Sequence, residues 1–178
     1  MVLVAMFAAL TAVGAFIKIP LPYVPFTMQV FFCAMASIIL GSKLGALSQI
    51  VYVVIGLIGI PIFASGGGIG YIFQPSFGFL LGLIASAFII GLIVEKVKYK
   101  PFVTYLGAIL CGIIILYLFG IPYLYLIVNI YLKIPISILT AISKYAIPFL
   151  GGDIVKSIIV AFLCTLIMPI LKKLNYTK

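Results

Sequence analysis

The chain has 178 residues, of which 66% are hydrophobic and only 7% are charged, and its net charge is +9. A soluble domain carries roughly 25% charged residues, so this composition excludes a water-soluble protein and indicates one built almost entirely of membrane-spanning segments. The charge comes from eleven lysines against two acids, and the absence of histidine removes most catalytic bases and metal sites. The lysines form no dense patch, which favours membrane anchoring over nucleic-acid binding.

Six apolar segments follow one another, each close to the length of a membrane-spanning helix. About 20 apolar residues cross the hydrocarbon core as a helix, and the alternating pattern of a membrane barrel is absent. We therefore predict one all-α, multi-pass membrane domain over residues 1–178, a bundle of six transmembrane helices. Met1 leads into apolar sequence without a basic region, so we expect no cleavable signal peptide. The predicted spans are residues 2–19, 27–40, 44–60, 77–94, 102–119 and 152–171.

Glycine and proline mark the connections between these spans. The first span ends at the turn formed by residues 20–22, and Gly41-Ser42-Lys43 makes a tight connection between the second and third. Segment 120–148 is apolar but is broken internally by Pro122, Asn129, Lys133, Pro135 and Lys144. Irregular backbone at membrane depth must be buried in protein or line a cavity. We therefore expect short helices there, lying across one mouth of the bundle.

The distribution of lysine predicts the orientation, because cytoplasmic loops carry the excess of positive charge. With both termini in the cytoplasm, the inner connections hold seven lysines and the outer ones three, leaving aside Lys156 inside the sixth span. The glycine-rich loop, segment 120–148 and the start of the sixth span then face outward. The inner set is Lys43, Lys96, Lys98, Lys100, Lys172, Lys173 and Lys178, and the outer set is Lys18, Lys133 and Lys144.

Asp153 is the more informative of the two acids, since it lies inside apolar sequence, whereas Glu95 follows a span. A charge in the middle of a membrane helix costs about 2.5–3.5 kcal/mol on insertion scales. Lys156 follows three residues later, on the same helical face. The two groups are either a self-neutralising pair near a helix N-terminus or a ligand site, in which the ammonium takes a carboxylate and the aspartate accepts N–H donors.

The glycine-rich loop at residues 64–70 is a second candidate. Glycines allow the backbone to approach a ligand closely and to offer N–H groups, and a flexible exposed loop is the alternative. No Gly-Lys-Ser/Thr follows at the spacing of a phosphate loop. We therefore predict no ATP site in this chain, and any coupling to ATP requires a partner.

Small residues in the first and fourth spans match the small-xxx-small pattern that allows two helices to approach closely. Packing within the chain and a subunit interface are both consistent with it. A buried amide needs partners, which favours interhelical hydrogen bonding for Gln49, while Gln29, near the outer mouth, is a candidate to reach a ligand. The small residues are Ala5, Ala8, Ala9 and Ala12 in the first span and Gly78, Gly82 and Ser86 in the fourth.

Four segments, taken in this order, resemble the BioY family, the biotin-binding S components of energy-coupling factor (ECF) transporters. They are PYVPFTMQ at 22–29, LGSKLGA at 40–46, GIPIFA at 59–64 with the glycines after it, and PFLGGDIVK at 148–156. The resemblance runs over nearly the whole chain, and the combination of motifs is specific, although each motif alone is weak.

The resemblance implies a six-helix bundle in a prokaryotic cell membrane that binds the vitamin biotin near its outer face. It also implies partners: a transmembrane coupling protein (the T component) and two ABC ATPases, which drive uptake. S components dock on the coupling protein through an Ala-xxx-Ala pattern in the first span, for which Ala5/Ala9 and Ala8/Ala12 both fit.

The resemblance also assigns site residues. Asp153 and Lys156 match the acid and the lysine that close the family's binding site. The family's arginine after a Pro-Ser/Thr turn and its asparagine in the glycine-rich loop correspond most nearly to Leu80 and Gly66 here. The biotin carboxylate is therefore expected to rely more on Lys156 and backbone N–H groups, with Gln74 as a substitute for one of the missing contacts. The ligand-binding residues predicted for this chain are Asp153, Lys156, Gln29, Gly67, Gly68, Tyr71, Gln74 and Phe79, with Phe73 as a further aromatic candidate.

Three alternatives to biotin uptake are weighed. A self-sufficient ion-coupled carrier would use Asp153 as a proton site, but a short bundle without inverted repeats is unlike such carriers; an S component for another vitamin is the nearer alternative. An intramembrane enzyme needs a second aspartate or a histidine. We therefore predict no enzymatic activity, no cofactor and no metal site, since the three cysteines lack ligand spacing.

Overall fold

The computed structural model describes residues 1–97 and 102–173, apart from the side chain of Lys172. Within them the chain is almost entirely helical, with one short hairpin. The single-domain prediction for residues 1–178 stays a prediction. The helices are α1 (Val2–Phe16), α2 (Gln29–Leu57), α3 (Phe77–Lys96), α4 (Phe102–Leu126), α5 (Ile138–Tyr145) and α6 (Ile147–Lys173); a 3-10 turn covers Ile69–Phe73, a π turn Ile127–Tyr131, and strands β1 (Lys18–Ile19) and β2 (Phe26–Thr27) pair antiparallel.

Helix α2 is a helical hairpin. Gly41 has φ 83° and ψ −177°, a combination that is essentially restricted to glycine. Residues eight apart in a continuous helix are separated by about 12 Å, but a Cβ atom added at Gly45 would lie 2.9 Å from the Cα of Ser37. The two halves of α2 therefore run back along each other, and the predicted tight connection at residues 41–43 is confirmed.

The carboxylate of Glu95, at the end of α3, closes this turn. One oxygen accepts the backbone N–H of Ser42 at 2.7 Å and the other accepts its hydroxyl at 2.8 Å. Ser42 opens the second half of α2, where unsatisfied N–H groups and the helix dipole favour a negative charge. Glu95 thus ties α3 to the reversal of α2.

The helices pack in sequence, α1 on α2, α2 on α3 and α3 on α4, while α6 closes the bundle against α4 and α2. Many large apolar side chains remain exposed on the outer faces, as expected for helices in lipid. Four described helices are long and apolar enough to span a membrane: Gln29–Leu57, Phe77–Lys96, Phe102–Tyr131 and Ile147–Leu171. This count takes α2 as one helix, and α1 falls among the shorter apolar helices.

Several predicted boundaries were wrong. The first span was expected to reach residue 19, but α1 ends at Phe16 because Lys18 and Ile19 pair with β2, and a residue before proline favours extended backbone. The fifth span was expected to end at 119, but α4 runs through Pro122 to Leu126. In an apolar segment the helix keeps its backbone groups bonded internally.

The sixth span begins earlier than residue 152, at Ile147. Pro148 stands in the first turn of α6, where the missing N–H of proline would have no helical partner anyway. Asp153 therefore lies in the second turn of α6 rather than at the helix start. Short helices were predicted in segment 120–148, but its first part continues α4 and the π turn, and only α5 is a separate short α-helix among the described residues. Of the lysines used for orientation, Lys98, Lys100 and Lys178 lie outside the described residues.

Candidate ligand-binding site

A small cavity of about 60 Å³ lies at the end of the bundle that carries the β1–β2 hairpin. Its walls come from β2 and from α2, α3, α4 and α6, and they are mostly apolar. Five of the eight predicted ligand-binding residues line it: Gln29, Tyr71, Phe79, Asp153 and Lys156.

Asp153 and Lys156 form the charged part of the wall. The Lys156 ammonium lies 2.6 Å from Oδ1 of Asp153, and both side chains are almost fully buried, at 6% and 4% exposure. A buried charge is tolerated only where it is paired and hydrogen-bonded. The spacing of three residues in α6 brings both groups to one face of the helix, so they present one neutral, strongly polar patch.

Lys156 is held by two further contacts from the hairpin. Its ammonium donates to the backbone carbonyl of Thr27 at 2.9 Å and lies 3.9 Å from the centre of the Phe26 ring, a cation–π geometry. A side chain at Gly152 would collide with the same ring, so glycine at this position lets the hairpin approach α6. The chain between α1 and α2 is thereby fixed against the charged pair.

The second oxygen of Asp153 is bonded to Tyr117 of α4. The phenolic hydroxyl donates to Oδ2 at 2.6 Å, the short distance of a charge-assisted hydrogen bond. Oδ2 thus accepts one hydrogen bond, while Oδ1 contacts the Lys156 ammonium and accepts no hydrogen bond from the described residues. Each oxygen keeps a lone pair for another donor.

A chain of hydrogen bonds leads from the cavity into the core. The hydroxyl of Thr27 donates to Oε1 of Gln29 at 2.8 Å, and the Gln29 amide donates to the Tyr52 hydroxyl at 2.9 Å. That hydroxyl donates in turn to the carbonyl of Ile62 at 3.2 Å. Gln29 lines the cavity as predicted, but its amide is also structural, because it links the hairpin to the base of the glycine-rich loop.

The N-terminus of α3 supplies the remaining polar groups. Ser76 precedes the first residue of α3 and donates to the Tyr71 hydroxyl at 3.2 Å. Both residues line the cavity, and the Tyr71 ring packs on Phe63 with centroids 4.5 Å apart. A helix N-terminus with hydroxyl donors suits an anionic ligand group.

Three predicted ligand-binding residues are absent from the cavity wall. The N–H of Gly68 donates to the carbonyl of Gly56 at 2.7 Å, and Gly68 has φ +98°. A side chain at Gly67 would collide with the carbonyl oxygen of Ile60. These glycines fold the loop against the end of α2, and Gln74 is exposed in a separate surface depression beside Lys18.

Of the two positions matched to the family's arginine and asparagine, one lies in the cavity wall and the other does not. Leu80 lines the cavity and is 4% exposed, whereas Gly66 lies off it. No cation thus stands on α3 in this wall. Phe73, the further aromatic candidate, is about half exposed and stacks on Tyr131 instead.

The structure separates the two small-residue pairs of α1. Ala5 and Ala9 are exposed on the side of α1 that points away from the bundle, while Ala8 is buried against the core and Ala12 is half-buried there. Only the first pair is free to meet another protein. The buried amide Gln49 donates to Thr11 and Ser48, which confirms an interhelical hydrogen bond.

Sequence reasoning missed four polar or aromatic contributors: Tyr117, Thr27, Phe26 and Ser76. Thr27 acts on Lys156 through its backbone carbonyl, which every residue has, so its identity carries no signal. Phe26, Thr27 and Ser76 lie in or beside the predicted motifs. Tyr117 lies within an apolar span, and its hydroxyl was the only sequence feature that could have indicated a role in the site.

The chain matches the model of the BioY family over residues 1–173. A "Probable biotin transporter BioY" of Lysinibacillus sphaericus is 43% identical over 176 residues, covering 99% of this chain and 86% of the relative. The "Biotin transporter BioY" of Thermotoga maritima is 39% identical over 158 residues, covering 88% of each chain. A biotin transporter BioY of Rhodobacter capsulatus is 41% identical over 165 residues, covering 88% of this chain and 86% of the relative.

A solved structure has the same fold. It is the S-component for biotin from an ECF-type ABC transporter, and it superposes with a TM-score of 0.77 at 27% sequence identity. The match covers 90% of this chain and 85% of that chain. The all-helical membrane fold expected from the sequence is therefore confirmed as an S-component fold.

Proposed function

Because this chain belongs to the BioY family, we propose that it is the biotin-binding membrane subunit of an ECF-type importer. The observation that carries the proposal is the buried Asp153–Lys156 pair in the wall of an otherwise apolar cavity. Ion pairs at this depth are costly to insert and mark ligand pathways. The subunit binds and presents biotin and performs no reaction on it.

The chemistry of the pair favours the ureido ring of biotin over its carboxylate. The ring carries N–H donors beside a carbonyl acceptor, and the pair offers a carboxylate beside an ammonium 2.6 Å away. A ligand carboxylate placed on Lys156 would lie next to Asp153 and be repelled. This differs from the initial expectation that the two charges hold opposite ends of the ligand.

The valerate carboxylate is then assigned to the other polar part of the cavity, at the start of α3. Ser76 and Tyr71 provide hydroxyls there, and the helix dipole favours an anion. Phe79 and Leu80 contribute apolar wall for the ring system and the chain. This arrangement explains how the site functions with Leu80 at the position matched to the family's arginine.

A binding titration on the full chain in detergent tests the proposal. We expect Asp153→Asn to weaken biotin binding at least tenfold, about 1.4 kcal/mol, because the amide replaces an acceptor oxygen with a donor. Glu95→Gln is the matched control, since it makes the same chemical change on an exposed carboxylate at residue 95. Wild-type affinity in Asp153→Asn would refute the site, and binding of a different vitamin would refute biotin.

We further propose six membrane crossings, made by α1, the two halves of α2, α3, α4 and α6. The helical hairpin supports this count, because it returns the chain to the side on which α1 ends. The cavity then faces outward, as the lysine distribution predicts. Labelling of Lys144→Cys, but not Lys43→Cys, by an impermeant maleimide in intact cells is the expected result; the reverse pattern would overturn the orientation.

The proposed partners are a T component and two ABC ATPases, with Ala5 and Ala9 as the docking face. Both are small and exposed, which allows close helix approach. Ala9→Leu should prevent assembly with the coupling protein while sparing biotin binding, and Gly107→Leu, at an exposed small residue of α4, is the control. Ala8→Leu should instead destabilise the fold by about 1–3 kcal/mol through overpacking. An intact complex with Ala9→Leu would contradict this face.

A further inference from the structure

We propose that Tyr117 is a positioning residue that holds the Asp153 carboxylate in the orientation needed for ligand N–H donors. The inference rests on the proposed binding site and adds a residue that the sequence motifs did not mark. Tyr117 lines the cavity from α4, and its hydroxyl lies 2.6 Å from Oδ2 of Asp153 on α6.

The orientation of the carboxylate follows from its two partners. Asp153 is 3% exposed, so water cannot replace a missing bond. Lys156 approaches one oxygen from the same helix, and Tyr117 approaches the other from a neighbouring helix. With the ammonium at one oxygen and the hydroxyl at the other, the carboxylate cannot turn both oxygens toward the ammonium. One lone pair on each oxygen remains available, which suits a ligand with more than one N–H.

The ring of Tyr117 is itself fixed by packing against α3. Its ring meets Phe79 of α3 edge-to-face with centroids 6.0 Å apart. One turn later on α4, Gly120 leaves room for the Phe79 ring, and any side chain there would collide with it. Three helices therefore meet at Tyr117: α3 packs against its ring, α4 carries the residue, and Asp153 of α6 accepts the hydrogen bond of its hydroxyl.

Tyr117→Phe removes the hydroxyl and keeps the ring. In full-length protein in detergent, we expect biotin affinity to fall about tenfold and the melting temperature to fall modestly, because Oδ2 of Asp153 loses its donor. Tyr123→Phe is the matched control: it lies on the same helix and loses one hydrogen bond, to the carbonyl of Ile72, but does not line the cavity. Its biotin affinity should equal that of the wild type.

A double-mutant cycle separates positioning from a general structural role. If Tyr117 acts through Asp153, then Tyr117→Phe should have little further effect in the Asp153→Asn background, because the group that it orients has gone. Additive losses would overturn the inference. As a second readout, biotin at saturation should change the tyrosine ultraviolet difference spectrum less in Tyr117→Phe than in the wild type, because Tyr71 also lines the cavity and contributes in both proteins. Equal spectral changes in the two proteins would also overturn the inference.

The outcomes keep the two proposals apart. If Asp153→Asn weakens biotin binding and Tyr117→Phe does not, the site stands and the role of Tyr117 is refuted. If both variants bind biotin like the wild type, the binding site itself is refuted. Should Tyr117→Phe fail to fold, the spectrum of the wild type, compared with that of folded Asp153→Asn at saturating biotin, still decides the question: the biotin-induced change must be smaller without the carboxylate, and an equal change would refute the role of Tyr117.

Discussion

The two acids of this chain lie in different regions of the fold and do different work. Asp153 is buried beside the cavity and is held by an ammonium and a phenol. Glu95 is exposed at the end of α3, and both its oxygens accept from one residue, Ser42. The chemical group is the same, so the difference in role comes from solvent and neighbours.

The difference teaches what burial does to a carboxylate. Near water, Glu95 can cap a helix turn and lose little if a partner moves, because solvent replaces the bond. Asp153 is buried and has no such solvent contact. Its two partners and the ligand must together supply the hydrogen bonds that its carboxylate needs. Substitutions at the cavity should therefore have larger effects than matched substitutions around Glu95.

Removing the ammonium should have the largest effect. We expect Lys156→Met to destabilise the protein by about 3–5 kcal/mol, because breaking a buried pair leaves an uncompensated charge. Lys43→Met, at an exposed lysine of the Glu95 end, should change stability little. Thermal or denaturant unfolding in detergent measures both.

The double variant Asp153→Asn/Lys156→Met sharpens this expectation. Removing both charges should recover much of the stability lost in Lys156→Met, but not biotin binding. A double variant as unstable as the single one would show that Lys156 stabilises the fold through its contacts with Thr27 and Phe26 rather than through the pair.

At the Glu95 end, the turn between the two halves of α2 should be sensitive to backbone strain rather than to loss of a charge. Gly41→Ala is expected to cost about 1–3 kcal/mol, because φ 83° with ψ −177° strongly disfavours a side chain and a Cβ would collide with the Glu95 carboxylate. Biotin affinity should be unchanged, since the site lies elsewhere. Gly107→Ala, a helical glycine with open space around it, should be neutral or stabilising. A large loss of biotin affinity in Gly41→Ala would show that the two ends are coupled.

The sequence predicted the features that are marked by a charged residue in apolar sequence or by helix-breaking residues. A lone aspartate in apolar sequence with a lysine three residues later led to the charged pair, and Gly41-Ser42-Lys43 led to the hairpin of α2. Pro122 was a misleading breaker, because an apolar environment keeps the helix intact through it. A proline within an apolar segment therefore does not by itself mark the end of a helix.

The cavity lining was harder to predict, and the reason is physical. In a soluble helix the apolar stripe shows which side faces the core, but helices that are apolar all round carry no such mark. Tyr117 was missed for this reason. Gly67 and Gly68 were assigned to the ligand because glycine permits close approach, but the same property let the loop pack on α2.

The smallest effect is expected at the inner end of the cavity's hydrogen-bond chain. Tyr52→Phe removes the hydroxyl between the Gln29 amide and the Ile62 carbonyl. Biotin affinity should fall by roughly fivefold, about 1 kcal/mol, the net worth of a typical hydrogen bond. Tyr105→Phe, an equally buried tyrosine that does not line the cavity, should leave affinity unchanged.

Equal losses in both variants would mean that the hydrogen bonds from Thr27 to Ile62 only support the fold. A loss in Tyr52→Phe alone would show that Asp153 and Lys156 depend on a network that extends to the base of the glycine-rich loop, whereas the bonds of Glu95 end at Ser42.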